Sequence, residues 1–213
     1  MKKIIDYFNE EAKTHDDHVL NQMGTTEFYD EIEKQFDKCI NKQKILILGC
    51  GTGLEVERIK SKSDVVAVDI SPEMLAELHK KTFYSGMSLK TICASILDLK
   101  FGNDCFDIVL TCYTLHHFSI EQKREIFQKI HGCLLPGGVF INGDIMSKSM
   151  EEESQRFTFA ESSYSSENLP FGSLHIDVPL TYQRELSLLK EADFHQITIE
   201  KEWTNTKLYR CIK

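Results

Sequence analysis

The chain has 213 residues, 41% of them apolar, which suits one domain built on a large core. A formal net charge of −8 argues against a broad nucleic-acid surface, since that requires clustered cations to displace counterions from phosphates. No apolar run approaches the roughly 18 residues that span a bilayer, and the opening Met1-Lys2-Lys3-Ile4-Ile5-Asp6 lacks an apolar signal core, so a cytoplasmic protein without membrane segments is expected.

Residues 1–43 read as a polar, mostly helical cover, in which Ile32, Phe36 and Ile40 recur at i, i+4 and i+8 as a stripe for packing on a sheet. Tyr7 to Asp16 is less regular. Residues 44–144 alternate apolar strands with helical patterns, the signature of a parallel sheet with right-handed crossovers. Within them, Ser71 with Pro72 marks one helix start, and Ser119 with Gln122 marks another as a capping box. Pro136-Gly137-Gly138 stops that second helix and leads into the strand Val139-Phe140-Ile141.

Residues 145–180 are too long for an ordinary connection and are rich in Ser, Glu and aromatics. They are read as a lid over the crevice, with a helix near 150–163. Phe157, Ala160 and Tyr164 share one face of it, while Phe171 and His175 reach toward the pocket from beyond. Residues 181–213 follow as a helix started by Thr181 and a closing antiparallel hairpin, 196–202 and 206–212, turned near Asn205. Seven cysteines lie scattered without metal-type pairing, mostly in apolar segments, and are read as reduced thiols.

The segment that points to a ligand runs from Ile45 to Ile59. Ile45-Leu46-Ile47-Leu48 reads as a buried strand, Gly49-Cys50-Gly51-Thr52-Gly53 as a tight loop, and Leu54 onward as a helix whose N-terminus favours an anionic or nucleotide-like group. Val65-Val66-Ala67-Val68 is a second buried strand. It ends at Asp69, about 20 residues past the first glycine, where such folds hold ribose hydroxyls. A dinucleotide loop has the spacing Gly-x-Gly-x-x-Gly; this chain has Gly-x-Gly-x-Gly.

With that spacing the chain resembles the class I S-adenosylmethionine-dependent methyltransferases. The likeness extends, in order, through Ser95-Ile96-Leu97-Asp98-Leu99, Phe106-Asp107-Ile108-Val109-Leu110, Thr114-Leu115-His116-His117-Phe118 and Leu134-Leu135-Pro136-Gly137-Gly138. It implies an α/β fold: a doubly wound, seven-stranded, mostly parallel sheet with a C-terminal antiparallel hairpin and helices on both faces. It also implies S-adenosyl-L-methionine as cofactor. The binding residues would be Gly49, Cys50, Gly51, Thr52, Gly53, Asp69, Ile70, Met74, Ser95, Ile96 and Thr111, with Ser95 standing where many relatives place an Asp for the adenine amino group.

His116, His117 and Tyr113, after the fourth strand, are the candidates for work on the acceptor, because imidazole titrates near neutrality. His175 and Asp177 could orient a substrate or bind a metal with Asp144, but so few dispersed ligands are read instead as a hydrogen-bonded loop, and no metal is expected. The function read from the sequence is methyl transfer to a small molecule. Two alternatives stand beside it: a tRNA wobble-uridine methyl- or carboxymethyl-transferase-like enzyme, hinted at by Thr181-Tyr182-Gln183-Arg184, and a non-catalytic cofactor-binding module. A homodimer is compatible with all three.

Overall fold

The apolar run Ile45–Leu48 forms the inner part of strand β1 (Gln43–Leu48), and all four of those residues are buried. The structure is a computed structural model that describes residues 1–37 and 43–213; Ile40 and Cys39 lie outside the described residues. The remaining strands are β2 (Ser63–Asp69), β3 (Ser88–Cys93), β4 (Phe106–Cys112), β5 (Leu134–Ile145), β6 (His195–Glu202) and β7 (Thr206–Ile212). They form one sheet in the order β3-β2-β1-β4-β5-β7-β6. β1 to β5 pair in parallel, β7 is antiparallel to β5, and β6 closes the edge as a hairpin with β7. The strand order reverses between β1 and β4, so a crevice opens at their carboxyl ends.

The major helices are α1 (Ile4–Glu11), α2 (Thr26–Asp37), α3 (Pro72–Leu78), α4 (Ile120–Cys133), α5 (Met150–Glu167) and α6 (Tyr182–Glu191). One face of the sheet is packed by Phe28, Ile32 and Phe36 of α2 with Leu75 and Leu78 of α3. The other is packed by Ile126, Phe127 and Ile130 of α4 with Leu188 and Leu189 of α6. The caps fall where the sequence places them. Ser71 Oγ accepts the Met74 N–H at 3.1 Å, and Ser119 with Gln122 completes a capping box. Thr181 occupies the N-cap of α6 without bonding the helix, because its hydroxyl turns to Met150 Sδ at 3.4 Å.

Two local expectations are corrected. The segment after Gly53 is not an α-helix; it turns irregularly into a single 3₁₀ turn at Val56–Arg58. Only nine residues separate Gly53 from the first residue of β2, too few for a helix and its return when a whole helical crossover takes about 10–12 residues or more. The leader, in contrast, is more regular than its pattern suggests, since Tyr7 and Phe8 sit within α1.

Candidate active site

Three strand ends build one side of a cavity of about 430 Å³. After β1, Gly49 and Gly51 adopt φ of +71° and +48°. A Cβ at Gly49 would collide with the Thr114 side chain, so that glycine lets two loops touch. At Gly51 the nearest atom to such a Cβ would be His15 Cε1 at 3.7 Å, so that glycine leaves the cavity wall open. At the end of β2, Asp69 Oδ2 accepts the Gly51 N–H and Oδ1 the Ser71 N–H, both at 2.8 Å. Burial holds the Asp69 pKa above the ordinary carboxylate value despite those two bonds. A carboxylate has about four acceptor sites, so two remain for a ligand.

Glu55 is a member of this wall that the sequence reading passed over. It is buried, it lines the cavity, and its Oε2 has no hydrogen-bond partner. Burial pushes its pKa up to about 8, so its carboxyl holds a proton at neutral pH. Cys50 beside it is a packing thiol, its pKa raised well above the ordinary value by burial.

The far end of the cavity is built by the loop after β4. Tyr113 sits there at φ +45°, its ring 4.6 Å from that of Phe28, and burial pushes its hydroxyl up to about 12. Strained backbone of this kind in a bulky residue collects at functional sites. His116 and His117 follow in one 3₁₀ turn, both buried. Asp144, at the end of β5, accepts the His116 backbone N–H at 3.0 Å on Oδ2 and lies 2.5 Å from His116 Nδ1 through Oδ1. Burial opposes charge on His116, but the adjacent Asp144 outweighs it and raises the pKa. At His117 burial dominates, with His116 beside it, and the ring is held well below the ordinary histidine value.

A roof covers this end. Backbone bonds from Ile4 N–H to Ser173 and from His175 N–H to Lys2, 2.9 and 3.1 Å, stitch the leader to the segment after α5. The Tyr7 and His175 rings stack at 3.6 Å, and Phe8 lies edge-on to His117 at 5.7 Å.

Of the residues chosen for cofactor binding, Gly49, Cys50, Gly51, Thr52, Asp69, Ile70, Met74, Ser95 and Ile96 line the cavity. Gly53 does not; it sits behind the loop, against Leu78. Thr111 is also off the cavity wall. Its hydroxyl donates to Asn142 Oδ1 at 2.6 Å inside the sheet, because its side chain faces the layer opposite the crevice floor. Tyr113, His116 and His117 all reach the cavity, as do Phe171 and His175. Ala160 and Tyr164 instead form a small core with Leu174, Ile176 and Val178, against which Phe157 and Phe171 pack, with Phe157 also touching the main core. Tyr7 and Phe8 of the leader and Asp177 also line the cavity, brought there by tertiary contact.

A family model described as a methyltransferase domain matches residues 45–138, from β1 into β5. The chain is 26% identical over 171 residues to an uncharacterized methyltransferase of Oceanobacillus iheyensis, covering 75% of each protein. It is 25% identical over 179 residues to 24-methylenesterol C-methyltransferase 2 of Arabidopsis thaliana, covering 79% of this chain and 48% of the plant protein. The chain therefore spans about half the length of that relative. Among solved structures, the DhpI–SAH complex matches with a TM-score of 0.72 at 15% identity, covering 97% of this chain and 93% of the other.

Proposed function

We propose that this chain, which belongs to the class I, Rossmann-like S-adenosylmethionine-dependent methyltransferases, moves a methyl group from its cofactor to a small molecule held at the histidine end of the cavity. The observation that carries the reading is the charge of the wall. Glu11, Asp69 and Asp177 line it together with Glu55, a buried acid that would give up its proton to a bound cation, and among the described lining residues there is no Lys or Arg. Such a wall favours a cationic cofactor and gives an RNA phosphate nothing to pair with.

The residues fit S-adenosylmethionine, which carries an ammonium and a sulfonium. Glu55 Oε2 is a buried acceptor lacking a partner, a costly arrangement that a cation relieves. In this reading the Gly49–Gly53 loop and Thr52 cradle the methionine part, and Asp69 takes the ribose hydroxyls on its two remaining acceptor sites. Ile70, Met74 and Ile96 hold the adenine, with Ser95 at its edge. The bound cofactor supplies an activated methyl whose departure leaves a neutral thioether. The chain's part is then mainly to align the acceptor and exclude water. Tyr113, His116 and His117 meet the acceptor, with Asp144 fixing the His116 ring so that Nε2 faces the cavity. Tyr113, with its hydroxyl held protonated, acts there as a donor or a wall and not as a base.

Calorimetry with S-adenosylmethionine, S-adenosylhomocysteine and NAD should show binding of the first two alone. A screen of small nucleophiles, with unmodified tRNA as a parallel substrate, should release S-adenosylhomocysteine with a small molecule and not with RNA. Methylation of tRNA alone would replace the acceptor assignment. Tight cofactor binding without turnover on any acceptor would support the non-catalytic module.

A further inference from the structure

The loop after β4 and the segment after α5 bring three potential ligand atoms to one point. His117 Nδ1 is 3.4 Å from Asp177 Oδ1, His116 Nε2 is 3.7 Å from the same oxygen, and all three atoms lie within 4.8 Å of one another. Such closeness ordinarily means hydrogen bonding. Here His117 Nδ1 and Asp177 Oδ1 are buried atoms with no hydrogen-bond partner, and the His117 side chain is 7% exposed. Two orphaned polar atoms aimed at each other without bonding are expensive, and a shared third body removes the cost.

We propose that His116, His117 and Asp177 bind a divalent transition-metal cation at the acceptor end of the cavity. Two imidazoles and one carboxylate suit such an ion and leave open positions for a substrate. Bond lengths of about 2.0–2.1 Å in a tetrahedral site put neighbouring ligand atoms about 3.4 Å apart, which two of the three edges already approach. Asp144 supports the site from behind by binding His116 Nδ1, the arrangement in which a carboxylate orients a metal-bound histidine. Asp177 also borders a shallow outer groove with Met1, Arg156 and Phe159, which gives the ion a way in. This replaces the hydrogen-bonded loop and the absence of metal expected from sequence. It rests on the reading of this end as the acceptor site. Held by His116, His117 and Asp177, such a cation would supply Lewis acidity to an acceptor oxygen: the oxygen would lose its proton to water and bond to the methyl carbon, with the carbon–sulfur electron pair going to sulfur.

The test uses the full chain after chelation and dialysis. Titration with ZnCl₂ by calorimetry, and with CoCl₂ by visible absorption, should each show one equivalent, with the intense bands of a four-coordinate site for cobalt. Asp177→Asn, at a partly exposed side chain, and His117→Ala should each weaken Zn²⁺ binding at least tenfold, and Asp144→Asn about 10–100-fold. Melting curves confirm that each variant is folded, with Asp177→Asn decisive if His117→Ala is not. Absence of stoichiometric Zn²⁺ binding, or binding that Asp177→Asn leaves unchanged, overturns the proposal. S-adenosylhomocysteine affinity of the metal-free protein is measured alongside. If it is retained while Zn²⁺ fails to bind, the metal site alone falls; if it too is lost, the cofactor reading falls separately.

Discussion

Lys123 Nζ of α4 lies 3.2 Å from Glu185 Oε2 of α6, and both side chains are 1% exposed. The other Glu185 oxygen accepts from Tyr209 Oη at 2.7 Å and Asn142 Nδ2 at 3.0 Å, and Asn142 Oδ1 in turn accepts from Thr111. The pair therefore anchors a polar chain running from two helices through β7 and β5 to β4. Glu185→Ala strands a buried ammonium and should cost about 3–5 kcal/mol. For a chain of this length that lowers the melting temperature by on the order of 10 °C. The double variant Lys123→Met with Glu185→Leu should melt above Glu185→Ala. Equal melting of all three proteins in calorimetry would show that the pair is not what holds the helices.

In the proposed reading Asp69 joins the loop to the ligand. If it holds the ribose, replacing it by Ala removes two charge-assisted bonds, each worth about 1.5–3 kcal/mol, and S-adenosylhomocysteine affinity should fall at least tenfold. The same change frees the Gly51 and Ser71 N–H groups, so some stability goes with it. Titration at several protein concentrations, below the melting range, separates the two effects. Wild-type affinity in that variant would remove Asp69 from the site.

Glu55 makes the ligand-free protein sensitive to alkali. Its folded pKa of about 8 lies above the ordinary 4.5, so the folded state keeps a proton that the unfolded chain has lost. Its contribution is present below about pH 4.5 and is lost as pH rises toward 8, with a slope of about 1.4 kcal/mol per unit between them. Glu55→Gln should flatten the denaturation midpoint across that window. Cofactor binding at pH 7 should release a proton from the wild type and none from Glu55→Gln, read as the dependence of calorimetric enthalpy on buffer ionisation. Proton release unchanged by the substitution would point to another group.

The roof separates two kinds of aromatic residue. Tyr164 Oη donates to the Leu174 carbonyl at 3.0 Å inside the small core, so Tyr164→Ala and Phe157→Ala should lower stability by about 2–4 kcal/mol while leaving acceptor preference intact. Tyr7→Ala alters the cavity wall and should shift the acceptor profile with a smaller loss of stability, while Phe171→Ala, at a ring 4.6 Å from that of Tyr164 that also lines the cavity, should change both. Hydrogen exchange along 2–11 and 171–177 should slow when S-adenosylhomocysteine and acceptor are added together. Unchanged exchange, with an unchanged profile for Phe171→Ala, would place specificity nearer Tyr113.

The strand order, the hairpin and most of the cavity lining at the ends of β1 and β2 were legible because they depend on local pattern: apolar runs, caps, and glycines at fixed spacing. Thr111 was misplaced for a reason the pattern cannot carry, since a hydroxyl on a buried strand satisfies a cofactor or an Asn142 equally well until the facing layer is known. The helix expected after Gly53 failed on length. Glu55 left a faint signal, an acid flanked by Leu54 and Val56 and followed by the charged Glu57 and Arg58, whereas the convergence of Asp177 with His117 spans 60 residues and exists only in the folded chain.

The seam between Lys2–Ile4 and Ser173–His175 belongs to neither the sheet nor its two packed faces, so it can part while they stay intact. On warming, such a protein should lose turnover several degrees before its circular dichroism changes, and should recover it on cooling. A purification tag fused ahead of Met1 would press on that same join. One fused behind Lys213, which is hydrogen-bonded to Gly137 and Gly138 at the base of β5, would leave the doorway free.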